Sequence, residues 1–296
     1  MSAAPLAEAS GRDRLLGILF ILGGAVCFST VGVIVRSLDG ASVWQVVLYR
    51  GLALAICVQL FLFYRYSQRA FAVYRSIGWL GIVGAAGLAW GSICYVWAFF
   101  HTTVANAVFF FGVLPMATAF TAWLLYGERV RGASWAAMAV ALVGIVVMFY
   151  GGFILGGWFG NVLALFGIVG YTALTIAVRA GRAVDMVPLL AVGALMGSAV
   201  AIAVEGVTAI GWHDLVLCSL IGVIVSVGFM LLTAGARYVR AGELSLLSNF
   251  ELMLGPIWVW LVVAEVPTGY TLVGGAIIVA TIVAQAFITT RPTART

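Results

Sequence analysis

The chain has 296 residues, of which 64% are hydrophobic and 8% charged, and its formal net charge is +5. A soluble domain carries about 25% charged residues, and no single core of this length could hide so much apolar surface. These values exclude an ordinary cytosolic enzyme, a secreted disulfide scaffold and a disordered chain, and make the bilayer the solvent for much of the surface.

Residues 1–14 are small and polar and read as a cytoplasmic tail. The first apolar run follows at once, over 15–36, with no small-residue cleavage site after it. An uncleaved first helix is therefore expected rather than a signal peptide. Further runs of spanning length lie at 43–64, 77–99, 104–126, 133–150, 158–178, 186–205, 214–235, 244–264 and 270–289, and residues 290–296 form a second short tail. Each is close to the roughly 20 residues a spanning helix needs. Their unbroken apolar character excludes the alternating strands of a membrane β-barrel. The fold class is all-α integral membrane, with ten transmembrane helices joined by short connections into antiparallel neighbours.

The basic residues test the count. All 15 are arginine. With the N-terminus in the cytoplasm, the inside segments hold Arg12, Arg14, Arg65, Arg69, Arg75, Arg129, Arg131, Arg179, Arg182, Arg237, Arg240, Arg291 and Arg295. Arg36 alone falls outside, and Arg50 lies within a helix. So strong an asymmetry follows the positive-inside rule and places both termini in the cytoplasm.

A repeat is visible along the chain. Trp123-Leu124 through Glu128 aligns with Trp260-Leu261 through Glu265 at an offset of 137, as do Gly132 with Gly269 and Ile145 with Ile282. Near the start of each half, Gly17 and Arg36 match Gly160 and Arg179 at an offset of 143. A repeat unit of five helices is odd, so the second copy, 158–289, must cross the membrane in the sense opposite to the first, 15–150. Inverted repeats let two halves expose a midplane site alternately to either side, as in secondary transporters.

Further stretches carry a family resemblance. They are Ala105-Asn106 through Pro115 to Trp123-Leu124 and Gly127-Glu128-Arg129 in the first half. In the second they are Ala241-Gly242-Glu243-Leu244-Ser245-Leu246-Leu247, Gly255-Pro256, Ala264-Glu265-Val266-Pro267-Thr268 and Gly274-Gly275. Over roughly 14–289 the chain resembles the drug/metabolite transporter superfamily, in particular its EamA-type exporters. That resemblance implies efflux of amino acids or other small metabolites from a bacterial inner membrane through a central cavity, with exporters of aromatic and other neutral amino acids the nearest comparison.

Two charges lie well inside helices. Arg50 and Glu251 each sit about 8 residues from a helix end, about 12 Å deep at 1.5 Å per residue. A charge at that depth costs at least about 2.5 kcal/mol, so each should face a cavity or a partner. Arg50 suits a substrate carboxylate; Glu251 suits an ammonium group or a proton. Ser248 and Asn249 add polar groups beside Glu251, while Pro115 and Pro256 are expected to kink their helices and free carbonyls at membrane depth. Trp90 and Tyr95 offer rigid aromatic walls with polar tips, to which Asn106 and Phe111 of the next helix could add. Ser29 and Tyr171 occupy matching stations in the two halves. Against each stands a structural role: lipid-facing or packing aromatics, locally bonded hydroxyls, anchored charges.

No HExxH, GxSxG or P-loop occurs, and the four cysteines show no CxxC spacing. Neither enzyme nor metal site is expected, and no cofactor; nothing points to nucleic acid. The partners expected are a small-molecule substrate, an amino acid or similar metabolite, and the bilayer, with a monomer or weak dimer both open. The rival readings are another metabolite or drug carrier of the same fold, a membrane-embedded lipid-acting enzyme, and a channel.

Overall fold

The computed structural model describes residues 11–67, 70–127, 132–181, 184–239, 244 and 247–290. All of its regular structure there is helical. The helices are α1 (Gly11–Arg36), α2 (Val43–Tyr66), α3 (Ala70–Ser76), α4 (Gly78–His101), α5 (Val104–Phe111), α6 (Leu114–Tyr126), α7 (Gly132–Leu155), α8 (Trp158–Ala180), α9 (Pro188–Glu205), α10 (Trp212–Gly235), α11 (Glu251–Val263) and α12 (Gly269–Thr290). Eight segments among the described residues are long and apolar enough to cross a membrane, counting α5 and α6 together. α11 and the Gly269–Gln285 part of α12 are shorter apolar helices. In hydrocarbon only such segments satisfy their own backbone hydrogen bonds.

Local signals set the boundaries. Ser42 caps α2 by accepting from Gln45 N at 3.1 Å, while Gln45 Oε1 accepts from Ser42 N at 2.9 Å. The Ser42 hydroxyl also donates to Glu205 Oε1 at 2.7 Å, tying the start of α2 to the end of α9. α6 ends at Gly127 and α11 at Ala264, both left-handed at φ 64° and 56°. These stops are 137 residues apart, the offset of the WLxxxE repeat. Glycine meets that conformation at no cost, whereas alanine pays about 1–2 kcal/mol.

Small residues supply much of the inward packing, beside larger ones such as Met148 and Phe110. In α7, Ala137, Ala141, Gly144, Gly151 and Gly152 face inward, while Leu142, Val143, Val146 and Phe153 are exposed. Small inward residues let backbones approach where apolar burial gives no advantage over lipid. α4 and α8 cross closely. A Cβ on Gly87 would lie 2.5 Å from the Gly170 carbonyl oxygen, and one on Gly170 would lie 2.5 Å from Gly91 N. α1 packs on α10, α2 on α9 and α10, α4 on α9, α7 on α12, α1 on α11, and α5 and α6 on α8.

Two expectations about helix shape are corrected. The segment over 104–126 is broken at Gly112–Val113 rather than kinked at Pro115. Pro115 then stands in the first turn of α6, where its missing N–H is no loss. α11 runs unbroken through Pro256, and the α-helical ladder is interrupted earlier, at Asn249–Phe250, where Phe250 keeps right-handed dihedrals and its N–H donates to the Leu247 carbonyl at 3.2 Å. The Glu128, Arg129 and Ala241–Glu243 portions of the sequence pattern lie outside the described residues.

Candidate substrate cavity

Both breaks abut one cavity of about 250 Å³. Its walls are Phe28 and Val31 of α1, Arg50 of α2, Tyr95 of α4, Phe111 of α5, Leu114 and Pro115 of α6, and Tyr171 of α8. Val225, Phe229 and Leu232 of α10 with Ser248, Asn249 and Glu251 complete them. At both breaks the backbone bonds tighten to the i→i+3 pattern: Val113 N donates to the Phe110 carbonyl at 3.1 Å and Phe250 N to the Leu247 carbonyl at 3.2 Å. α6 and α11 begin at the cavity, and Glu251 occupies the first turn of α11.

The aromatic wall is continuous. Tyr95 and Phe111 have ring centroids 4.2 Å apart, and Phe111 meets Tyr171 edge-on at 5.1 Å. Across the cavity Phe28 and Phe229 form a T-shaped pair at 5.0 Å. Such faces take a planar or aliphatic group with little loss of rotamer freedom.

The two charges frame the polar side. Arg50 is 6% exposed, and its Nε has no hydrogen-bond partner among the described residues. No carboxylate among the described residues lies within ion-pair distance of it, so Arg50 and Glu251 share the cavity without neutralising one another. Behind Arg50 a recess of about 20 Å³ runs between α2, α4 and α9, past Gly51, Ser92 and Gly197. That is room for one water molecule.

One end of the bundle is tied together around an ion pair. Arg36 Nε lies 2.7 Å from Glu265 Oε2, and Arg36 Nη2 donates to the Thr102 carbonyl at 2.7 Å. Glu265 Oε1 accepts from Val104 N at 2.8 Å. The end of α1, the α4–α5 junction and the α11–α12 connection are thereby knotted together.

Residues 15–150 match the sequence model of the EamA-like transporter family. The first half of the chain is thus similar to the EamA-like transporter family. That match, with the apolar helices, supports a multi-pass membrane transporter of the drug/metabolite transporter superfamily. No curated protein sequence matches the chain. Among ten solved chains that match, one titled only "Crystal structure of protein" has a TM-score of 0.67 at 19% identity, over 94% of this chain and 100% of its own. That likeness concerns the fold.

Within the EamA-like bundle, the expected site residues divide into two groups. Arg50, Glu251, Ser248, Asn249, Tyr95, Phe111, Tyr171 and Pro115 do converge on the cavity. Trp90, Asn106, Ser29 and Pro256 do not line it. Trp90 is 51% exposed on the outer face of α4 and donates from Nε1 to the Phe166 carbonyl at 3.1 Å. Asn106 is buried in a network in which Thr271 Oγ1 donates to Asn106 Oδ1 at 2.7 Å, while Asn106 Nδ2 and Thr102 Oγ1 both donate to Asn161 Oδ1, at 3.2 and 2.8 Å. Ser29 donates to the Val26 carbonyl at 2.7 Å and accepts from Trp258 Nε1 at 3.1 Å. All three are held by structural bonds.

Phe28, Val31, Leu114, Val225, Phe229 and Leu232 were not singled out by sequence. In a chain this apolar they carry no distinguishing mark. Asp39, His213 and Asp214 form a cluster with metal-ligand atom types at the start of α10. The carboxylate of Asp214 is already taken by the backbone N–H groups of Asp39 and Gly40, at 2.9 and 3.0 Å, so the cluster staples a loop.

Proposed function

We propose that the chain is a secondary transporter that exports small neutral amino acids, aromatic or hydrophobic, from the cytoplasm across a bacterial inner membrane. In this reading ten helices form two inverted five-helix repeats, 15–150 and 158–289, with both termini cytoplasmic. The substrate carboxylate meets Arg50, the ammonium group meets Glu251, and the side chain lies against Tyr95, Phe111 and Tyr171. The observation that carries the reading is the placement of Arg50 and Glu251 on one aromatic-walled cavity without pairing to each other.

Several features support the inverted arrangement. Exchanging α1 with α8, α2 with α9, α4 with α10, α5–α6 with α11 and α7 with α12 converts the principal packed pairs into one another: α4–α8 into α1–α10, α2–α10 into α4–α9 and α1–α11 into α5–α6 on α8, with α2–α9 and α7–α12 returned to themselves. The breaks at Gly112–Val113 and Asn249–Phe250 are separated by the same 137 residues as the repeated WLxxxE. Alternating access follows from two such halves: the knot of Arg36 and Glu265 holds one end shut while the other admits substrate.

Uptake of labelled amino acids into proteoliposomes, with and without a proton gradient, tests the proposal. Saturable counterflow of a neutral amino acid is expected. Glu251→Gln, with folding preserved, should change the transport kinetics, and Arg50→Leu should impair carboxylate-bearing substrates more than their amides. Equal loss on acid and amide would remove the carboxylate from Arg50. Unchanged kinetics in Glu251→Gln would remove Glu251 from the site.

A further inference from the structure

α2 and α10 touch at one level and separate beyond it. A Cβ on Gly222 of α10 would lie 2.8 Å from Leu54 N of α2, and Ser226 Oγ reaches the Leu54 carbonyl at 3.4 Å. Past that contact a crevice of about 350 Å³ opens between the two helices. Val58, Phe61 and Met230 are among its walls, and at one end stand Arg65 and Arg237. The interior is apolar in effect, because Ser226 Oγ and Thr233 Oγ1 each donate at 2.8 Å to carbonyls of their own helix. At the charged end, Arg65 Nη1 lies 3.6 Å from Asp185 Oδ2 and Arg237 is exposed. Among the described residues two guanidinium groups and one carboxylate stand at this end, a net positive mouth on an apolar cleft. Phe229 belongs to the walls of both this crevice and the central cavity.

We propose that the crevice between α2 and α10 is a binding site for an anionic phospholipid, its phosphate on Arg65 and Arg237 and one acyl chain in the cleft. An apolar cleft of this size at a helix–helix boundary is not left void in a bilayer, since interiors pack densely, and its hydroxyls offer water nothing. Basic groups at a cleft between spanning helices select anionic headgroups over zwitterionic ones. A chain seated there bears on Phe229 and holds it against Phe28, so the lipid shapes one wall of the central cavity. The site requires only that the chain is a membrane protein, and stands independently of the cargo proposed above.

The test uses the purified full-length protein and native mass spectrometry, with phosphatidylglycerol and phosphatidylcholine of identical acyl chains. One basic side chain near an anionic headgroup is worth about fivefold in binding and two about 30-fold, so with Asp185 offsetting part of Arg65, a phosphatidylglycerol preference between these values is expected. Arg65→Gln with Arg237→Gln should bring the preference close to unity. Ala234→Leu, which fills the cleft and keeps both arginines, should lower retention of both lipids. Glu251→Gln should leave the preference intact, which separates this site from the transport reading. Equal retention of the two lipids by the parent, or an undiminished preference in the double arginine variant, overturns the proposal. Stabilisation by inorganic phosphate alone equal to that by phosphatidylglycerol also overturns it, in favour of a soluble anion.

Discussion

Arg36→Gln should unfasten the tied end of the bundle. In the parent, the guanidinium forms an ion pair with Glu265 at 2.7 Å and donates to the Thr102 carbonyl at 2.7 Å, with side-chain exposures of 27% for Arg36 and 18% for Glu265. Removing one partner of a fully buried pair costs about 3–5 kcal/mol, and an exposed pair is worth about 1 kcal/mol or less. At this partial burial the loss should be about 2 kcal/mol, because Glu265 keeps its bond from Val104 N but faces no cation. That difference multiplies the population with this end apart about 30-fold. The assay is labelling of a cysteine placed at Val31, a cavity residue 4% exposed. The background would lack Cys27, Cys57, Cys94 and Cys218, and the membrane-impermeant thiol reagent would be added on the face that carries Arg36. Labelling should accelerate about 30-fold in Arg36→Gln and in Glu265→Gln, and the double variant should be no faster than either single one. A rate within twofold of the parent in both single variants would show that the pair does not hold this end closed.

Two further substitutions separate packing from cargo. Gly170→Val places a branched side chain where even a Cβ comes within 2.5 Å of the Gly87 carbonyl and Gly91 N, so α4 and α8 must move apart. A loss of at least about 3 kcal/mol is expected, lowering Tm by roughly 6–12 °C; an unchanged Tm would contradict the close crossing. Trp90→Phe removes one hydrogen bond on the exposed face of α4 and should cost about 1 kcal/mol while leaving substrate KM unaltered. A raised KM would return Trp90 to the cavity.

The spans were legible because a spanning helix announces itself by length and composition: the runs at 43–64 and 158–178 differ from α2 and α8 by only two residues at one end. Arg50 was legible for a similar reason, since a lone cation at membrane depth has few places to go. Side-chain direction was not legible. Trp90 and Tyr95 lie five residues apart on one helix and look alike in sequence, yet one faces outward and the other faces the cavity. In a soluble protein polarity would separate those faces, but lipid and an aromatic-walled cavity select the same residue types. The proline cues pointed at the right segments and missed the breaks by two to seven residues, because Pro115 starts a helix while Gly112–Val113 ends one. Asn106 was chosen for its polarity and proves to be bonded on all sides, a state that only the partners brought by α8 and α12 could reveal.

That network has a mechanical corollary. Thr102, Asn106, Asn161 and Thr271 are at most 8% exposed, and Asn161 Nδ2 reaches the Met148 carbonyl at 3.3 Å. A slip of α8 or α12 by one residue against α5 would strand several polar atoms at once in a dry interior, each at about 1–3 kcal/mol. This quarter of the molecule is therefore firmly registered, and in the transport cycle proposed above the ladder interruptions at Gly112–Val113 and Asn249–Phe250 are where α6 and α11 would bend.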